Sequence, residues 1–324
     1  MNRRGIRTRS EDFGRIHYNN ATDTFSAEIE KVGACLPRTP IAVSWIIIGG
    51  CNLRCIHCYG NQEELPREML STQQCFEICQ RLADAEVMRV VISGGEPLLR
   101  DDIFDIIQHL LHSGISVVLG TNGTYITNHN ISALVDCTRV EVSLDGATEI
   151  TNNAIRPGRS RSGNAWLETM NAINMCLSAG INLRVLTALN RQNQVEIIQI
   201  AKRLYEEGVR DWGLSWTVSA GRARHIFNEL KPDTGVILEG LNAARSMFPD
   251  MLIRYSDRVS KPMSRFYSLV LPNGQFATED VDLGQKVMFG SLLSREIKEM
   301  WNSDNFVLEQ HFQKWIGDRI VRCP

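Results

Sequence analysis

The sequence predicts an α/β fold built as a partial, open TIM-like barrel of about six βα units, and three observations carry that expectation. Short apolar runs alternate with amphipathic stretches from Ile41 onward, the pattern of parallel strands covered by helices. Glycines stand where helices should end, at Gly114, Gly180 and Gly208, positions that favour a left-handed residue. The rhythm runs for about six units, short of the eight that close a full barrel.

In chain order, residues 12–18, a polar turn at Asn19-Asn20 and residues 24–27 read as a small N-terminal hairpin, expected to pack on a barrel edge. Strands are predicted at 41–48, 89–93, 116–121, 139–144, 182–187 and 211–216. Helices are predicted at 71–85, 101–112, 128–135, 164–179 and 194–207. Ser71 and Gln74 form a capping box at the start of the first of these. After about Asn228 the alternation stops, and residues 269–276 read as a second hairpin turning at Asn273-Gly274. The expected division is a lead-in with the hairpin (1–40), a barrel core (41–228) and a C-terminal α+β appendage (229–324).

With 324 residues, 43% of them hydrophobic and 22% charged, the chain is long and apolar enough for a sizeable core. A net charge of -2 gives no basic footprint for nucleic acid. Arg3, Arg4, Arg7 and Arg9 are not followed by the apolar stretch of a signal peptide. The longest apolar run, 41–48, falls far short of the roughly 20 residues that span a bilayer. Nine cysteines, an odd and scattered set, argue against a disulfide framework and for a reducing, cytoplasmic compartment with no membrane partner.

The chemistry is concentrated in Gly49-Gly50-Cys51-Asn52-Leu53-Arg54-Cys55-Ile56-His57-Cys58-Tyr59. Three thiolates from one tight loop can ligate three irons of a cubane cluster and leave the fourth open. Small apolar core residues, or zinc with His57 as a fourth ligand, are the alternatives; the run lacks the paired Cys-x-x-Cys knuckles of zinc sites. In parallel α/β sheets ligands gather at the C-terminal ends of strands, which makes Ser93-Gly94-Gly95-Glu96-Pro97, Gly120-Thr121-Asn122-Gly123 and Val142-Ser143-Leu144-Asp145-Gly146 the next segments of interest. Gly94 and Gly95 let the backbone approach a ligand, and Glu96 can accept from a cationic amine, although the same residues also make an ordinary turn.

The spacing C-x3-C-x2-C followed by an aromatic, with Gly94-Gly95-Glu96 at the next strand end, resembles the radical S-adenosylmethionine (radical SAM) superfamily, in the branch of SPASM and twitch peptide and cofactor maturases. The resemblance implies an enzyme holding one 4Fe-4S cluster on Cys51, Cys55 and Cys58 and binding S-adenosyl-L-methionine. It further implies that Gly94, Gly95 and Glu96 hold the methionyl amine, that Ser143 and Arg156 hold its carboxylate, and that His57 lies against the adenine, with Asn122 and Asp145 as weaker candidates. A reduced cluster would yield a 5′-deoxyadenosyl radical, with electrons from an external one-electron reductant of the flavodoxin or ferredoxin type.

Where that branch carries auxiliary-cluster cysteines, this chain has Ala277-Thr278-Glu279-Asp280, and only Cys323 lies in the tail. A cysteine-poor C-terminal remnant favours a redox-neutral reaction such as decarboxylation, epimerisation or elimination on a small-molecule natural-product intermediate. Maturation of a ribosomal peptide or peptide-derived cofactor is the alternative, with the N-terminal hairpin as an edge for a peptide strand. A non-catalytic iron–sulfur or zinc protein is the remote one. Cys75 and Cys79, four apart on a helix, read as core, while Cys323 is the better hydrogen-donor candidate. Trp212, Trp216, Arg222, Arg224 and His225 follow or end the last strand, either as a packed tryptophan with a solvated loop or, through Arg222 or Arg224, as recognition of an acidic group.

Overall fold

The computed structural model describes residues 5–30, 37–60, 65, 68–256, 266–280 and 285–303. The chain opens with an antiparallel sheet of β1 (Ile6–Glu11), β2 (Gly14–Asn19) and β3 (Thr24–Ile29). The hairpin β2–β3 matches the sequence expectation, whereas β1 is an addition. Its run Ile-Arg-Thr-Arg-Ser-Glu has almost no apolar signal, because Arg7 and Arg9 do their work through guanidinium hydrogen bonds to the barrel.

The barrel follows as β4 (Ala42–Ile48), α1 (Thr72–Asp84), β5 (Arg89–Gly94), α2 (Ile103–His112), β6 (Ser116–Thr121), β7 (Arg139–Ser143), α3 (Glu149–Ile155), α4 (Ala165–Ser178), β8 (Leu183–Leu189), α5 (Ile197–Glu207) and β9 (Asp211–Trp216). Then come α6 (Phe227–Leu230), α7 (Thr234–Met247), β10 (Leu252–Ser256), β11 (Phe266–Val270), β12 (Gln275–Asp280), β13 (Gln285–Ser291) and α8 (Ile297–Ser303). Strands β4 to β10 pair in parallel, neighbour to neighbour, and β11, β12 and β13 extend the same sheet beyond β4.

One face of the barrel strands is predominantly apolar, while the other carries polar residues such as Glu141 and Arg184, cross-strand neighbours that pair at 3.1 Å. Val90, Ile92, Val117, Leu119, Val140 and Val142 are accordingly all buried. Helix α1 starts at the predicted capping box, with Ser71 Oγ accepting from Gln74 N and Gln74 Oε1 accepting from Ser71 N. It buries Cys75, Ile78, Cys79 and Leu82, so Cys75 and Cys79 are core, and burial pushes the Cys75 thiol up to about 11.

Three expectations changed. The helix predicted over 128–135 is only a 3-10 turn, Ile131–Leu134, because the Asn130 amide bonds Thr127 N and Tyr125 O and so competes with helical pairing. Helix α3 was not foreseen; it has no apolar stripe, with Ile150 84% exposed, and begins where Thr148 caps Thr151 N. The parallel rhythm also continues past Asn228 into a seventh strand, β10, hidden in the sequence by its alternating exposed and buried edge-strand pattern.

The three-stranded sheet does not sit on a barrel edge. It caps the N-terminal end of the barrel, where Asp23 bonds Arg89 and Arg139, the first residues of β5 and β7, and Asn20 accepts from Ser116 at the start of β6. The predicted Asn273-Gly274 turn does join two strands, β11 and β12, and β11 lies parallel to β4. One end of the barrel is therefore closed, and the C-terminal strand ends remain to build a site.

Candidate cofactor site

The cysteine loop leaves the C-terminal end of β4 and is held by backbone pairing from the end of β5 and from the segment that ends and follows α3. On one side Gly95 N donates to Ile48 O at 2.8 Å and Glu96 N donates to Gly50 O at 2.9 Å. A Cβ on Gly95 would stand 2.0 Å from Gly50 O, so the contact admits only glycine. On the other side the segment after α3 runs antiparallel to the loop: Leu53 bridges Gly158, Ile56 N donates to Ile155 O at 2.9 Å, and Arg159 N donates to Asn52 O at 2.8 Å. A Cβ on Gly158 would meet Leu53 Cα at 2.5 Å.

Cys51, Cys55 and Cys58 are half-buried on this loop and form no disulfide. Among the described residues no three His, Cys, Asp or Glu side chains close on one metal-binding point, so the thiols share a loop without converging. Their surroundings suit sulfur ligands nonetheless. Leu53 N lies 3.4 Å from Cys51 Sγ, Asn122 Nδ2 3.9 Å from the same sulfur, and Arg156 Nη1 3.8 Å from Cys55 Sγ. Burial pushes the Cys55 thiol up to about 12, opposed by the Arg156 charge and reinforced by Asp145 and the other two cysteines. Such a thiol gives up its proton only when a cation replaces it.

Behind the loop lies a connected polar network. Arg156 Nε donates to Asp145 Oδ2 at 2.5 Å, and Asp145, fully buried, also accepts from Ala188 N at 2.7 Å beside the end of β8. The carboxylate and the nearby thiols hold the Arg156 pKa above its ordinary value despite burial. His57 Nε2 is 3.4 Å from the same Asp145 oxygen; burial, with Arg156 and Arg222 adding to it, outweighs Asp145 and pushes the imidazole down to about 4. Its Nδ1 is buried without a partner, as are Ser160 Oγ and Thr217 Oγ1, the last of these just beyond β9. Unpartnered buried polar atoms also occur at the opposite end, at Arg7 Nε, Arg89 Nε and Arg139 Nε, so it is their place beside the cysteine loop that gives these three their interest.

Glu96 is completely buried, and its carboxylate accepts from Leu98 N at 3.1 Å, Thr121 Oγ1 at 2.7 Å and Asn122 N at 2.7 Å. Burial raises its pKa against those three donors. Asn122 in turn donates to Asn52 Oδ1 at 2.9 Å, linking the ends of β5 and β6 to the cysteine loop.

The sequence-predicted residues thus divide. Cys51, Cys55, Cys58, His57, Gly95, Glu96, Asn122, Asp145 and Arg156 form one connected assembly, Gly94 ends β5 within it, and Ser143 ends β7 half-buried. Cys323 lies outside the described residues. Trp212 is core, its indole donating to Thr187 Oγ1 at 2.8 Å, whereas Arg224 and His225 are exposed. Asn52, Gly158 and Arg222 were missed as parts of the loop's support; the only sequence signal was their place beside motif residues or after a strand.

Fold and site together define an α/β partial barrel with a three-thiol loop and an arginine–carboxylate network at its open end. Residues 45–204 match the Radical SAM superfamily, so the chain carries a radical SAM domain. The chain is 30% identical over 192 residues to an AdoMet-dependent heme synthase of Methanosarcina barkeri, covering 58% of this chain and 53% of that one. It is 28% identical over 231 residues to the mycofactocin maturase MftC of Mycolicibacterium smegmatis, covering 70% and 55%. The chain therefore spans about half the length of the curated relatives it matches. In fold it is similar to Streptococcus suis SuiB crystallised with S-adenosylmethionine, with a TM-score of 0.75 at 13% identity over 94% of this chain and 89% of that one. Among the described residues no helix is long and apolar enough to cross a membrane.

Proposed function

We propose that this chain is a radical SAM enzyme that modifies a peptide or a cofactor precursor, with Cys51, Cys55 and Cys58 ligating three irons of a 4Fe-4S cluster. The observation that carries the reading is the cysteine loop, clamped between the ends of β5 and α3 with the Arg156 guanidinium 3.8 Å from the Cys55 sulfur. When bound, the reduced cluster and S-adenosyl-L-methionine supply a 5′-deoxyadenosyl radical that abstracts hydrogen from an unactivated carbon. The chain's own residues bind and orient. Arg156, held at Nε by Asp145, is left with a face suited to two parallel hydrogen bonds to a carboxylate, and Ser143 at the end of β7 is placed to help. Glu96, fixed between the ends of β5 and β6 by its bonds from Leu98 N, Thr121 Oγ1 and Asn122 N, keeps acceptor capacity on Oε2 for a cationic amine beside Gly94-Gly95. His57, a neutral imidazole at physiological pH because burial pushes it down to about 4, offers a flat ring suited to contact with an aromatic base. Residues 41–228 carry all these contacts and form the proposed catalytic core.

Relatives named mycofactocin maturase, and SuiB having been crystallised with its precursor peptide SuiA, support a peptide as substrate. The heme synthase relative supports a cofactor precursor instead. A redox-neutral reaction on a small natural-product intermediate is the second reading, favoured by the single cysteine, Cys323, after Cys176. The cysteines, which form no disulfide among the described residues, suit a reducing cytoplasm and an external one-electron reductant of the flavodoxin or ferredoxin type.

Anaerobic reconstitution tests the cofactor assignment: about four irons per chain are expected, and reductive formation of 5′-deoxyadenosine should vanish in Cys55→Ala. Zinc in place of iron, or 5′-deoxyadenosine from the variant, refutes it. A mass change in a short peptide encoded beside the gene separates peptide from small-molecule chemistry.

A further inference from the structure

Beyond β9 the chain turns back across the site in a short 3-10 turn, Gly221–Ile226, and its first two residues dock on the cysteine loop. Arg222 N donates to Cys58 O at 2.9 Å, and Arg222 Nη1 donates to Cys55 O at 2.8 Å. One residue therefore grips the carbonyls of two of the three cysteines, the farther of them 167 positions away in sequence. Gly221 makes the approach feasible: its φ is +53°, and a Cβ there would stand 2.5 Å from both Cys58 O and Tyr59 O.

We propose that Arg222 is a positioning residue for the cluster: with Gly221 it clasps the Cys55–Cys58 half of the loop and supplies a fixed positive charge beside it. This rests on the cofactor reading given above. Both of these hydrogen bonds end on main-chain oxygens of ligand residues, so Arg222 acts through the loop that carries the thiols. The clasp is also the third wall around the loop. Gly95 holds its beginning and Gly158 its middle, while the segment after β9 holds its end. Supports of this kind fix the direction in which a ligand atom points, and their loss weakens metal binding without removing a ligand. A cation at the same place favours the more negative, reduced cluster.

The test compares anaerobically reconstituted wild-type protein with Arg222→Ala, Arg222→Lys and Gly221→Ala, using Glu229→Ala on the exposed face of α6 as a control. Transfer of iron to a colorimetric chelator should be roughly tenfold or more faster in Arg222→Ala and Gly221→Ala than in wild type. The cluster's midpoint potential, followed by electron paramagnetic resonance during reductive titration, should move negative in Arg222→Ala and stay close to wild type in Arg222→Lys, which keeps the charge. Metal-free Arg222→Ala should retain its far-ultraviolet circular dichroism while amide exchange quickens at residues 55–59. Should Arg222→Ala not fold, the comparison of Gly221→Ala and Arg222→Lys decides the same point, because only the first breaks the clasp. Wild-type iron retention and potential in the folded variants overturn the proposal and leave the cofactor reading standing. A wild-type protein that takes up no iron overturns both.

Discussion

Each end of the barrel holds a buried aspartate against arginine, and the two arrangements differ in what they leave over. At the N-terminal end Asp23 accepts from Tyr18 Oη, Arg89 Nη1 and Arg139 Nη1 at 2.7 to 2.8 Å, while Arg139 Nη2 reaches Thr22 O at 3.1 Å. Its partners lie at the starts of β5 and β7 and within the sheet that covers them, so the ion pairs seal one element onto another. At the C-terminal end Asp145 binds one arginine by its Nε, and that arginine's Nη1 ends beside a thiol. The same pair of side chains closes one end of the barrel and presents a cation at the other. Strand direction explains the asymmetry, because loops leaving the C-terminal ends are free to vary while the opposite end is packed shut.

The largest effect that would break this comparison is at the closed end. Asp23→Ala takes from Arg139, whose side chain is 2% exposed, its shortest ion pair and leaves it Glu141 at 3.7 Å, and it removes the partner of Arg89 as well. Breaking a buried pair costs about 3–5 kcal/mol, and the remaining Glu141 contact puts the expected loss at the lower end, about 3 kcal/mol. Urea unfolding should show that loss, and the folded fraction should still load iron as wild type does. A normal urea midpoint would mean that the ion pairs do not hold the sheet to the barrel.

The same change in kind at the open end should read out differently. Asp145→Asn keeps an acceptor oxygen but removes the charge that orients Arg156, so stability should fall by less, on the order of 2 kcal/mol. Ligand binding should suffer more. Thermal melts with and without S-adenosyl-L-methionine should show a stabilising shift in wild type and in Asp23→Asn, and little or none in Asp145→Asn. An equal shift in all three would remove Arg156 from the ligand site.

How much of this was legible in the sequence follows the same division. Strands β4 to β9 could be read because each carries buried apolar residues at alternate positions within a short run, and the motif residues could be found because they follow those strands. The cap at the closed end could not be placed, since Arg7, Arg9 and Asp23 act through long side chains whose partners are set by tertiary packing. At the open end the residue types were right, but their partners were not evident. Glu96 and Asp145 resemble free carboxylates in the sequence, yet each is bonded by backbone amides and neighbours brought in from other strand ends. Arg222, following β9, read either as part of a solvated loop or as recognition of an acidic group, and only the fold shows it turned back onto Cys55 and Cys58.

The smallest effects give the sharpest contrast, because two substitutions can remove chemically equivalent hydrogen bonds from the two ends. Tyr18→Phe deletes a 2.7 Å bond to Asp23, and Thr121→Val deletes a 2.7 Å bond to Glu96. Each loses one hydroxyl donor to a carboxylate with little change in volume, so each should cost about 1 kcal/mol in a denaturant titration. Their consequences for the ligand should part company. Tyr18 serves a carboxylate whose every named partner belongs to the closed end, so affinity for S-adenosyl-L-methionine in reconstituted Tyr18→Phe should match wild type. Thr121 also accepts from Gly123 N at 3.0 Å, and its loss loosens both the Glu96 turn and the Asn122 link to the cysteine loop. Equilibrium binding to Thr121→Val should be severalfold weaker at a similar thermal stability. If the two variants bind alike, the polar network behind the cysteine loop is a structural seal like the one around Asp23, and the difference between the ends lies in the cysteines alone.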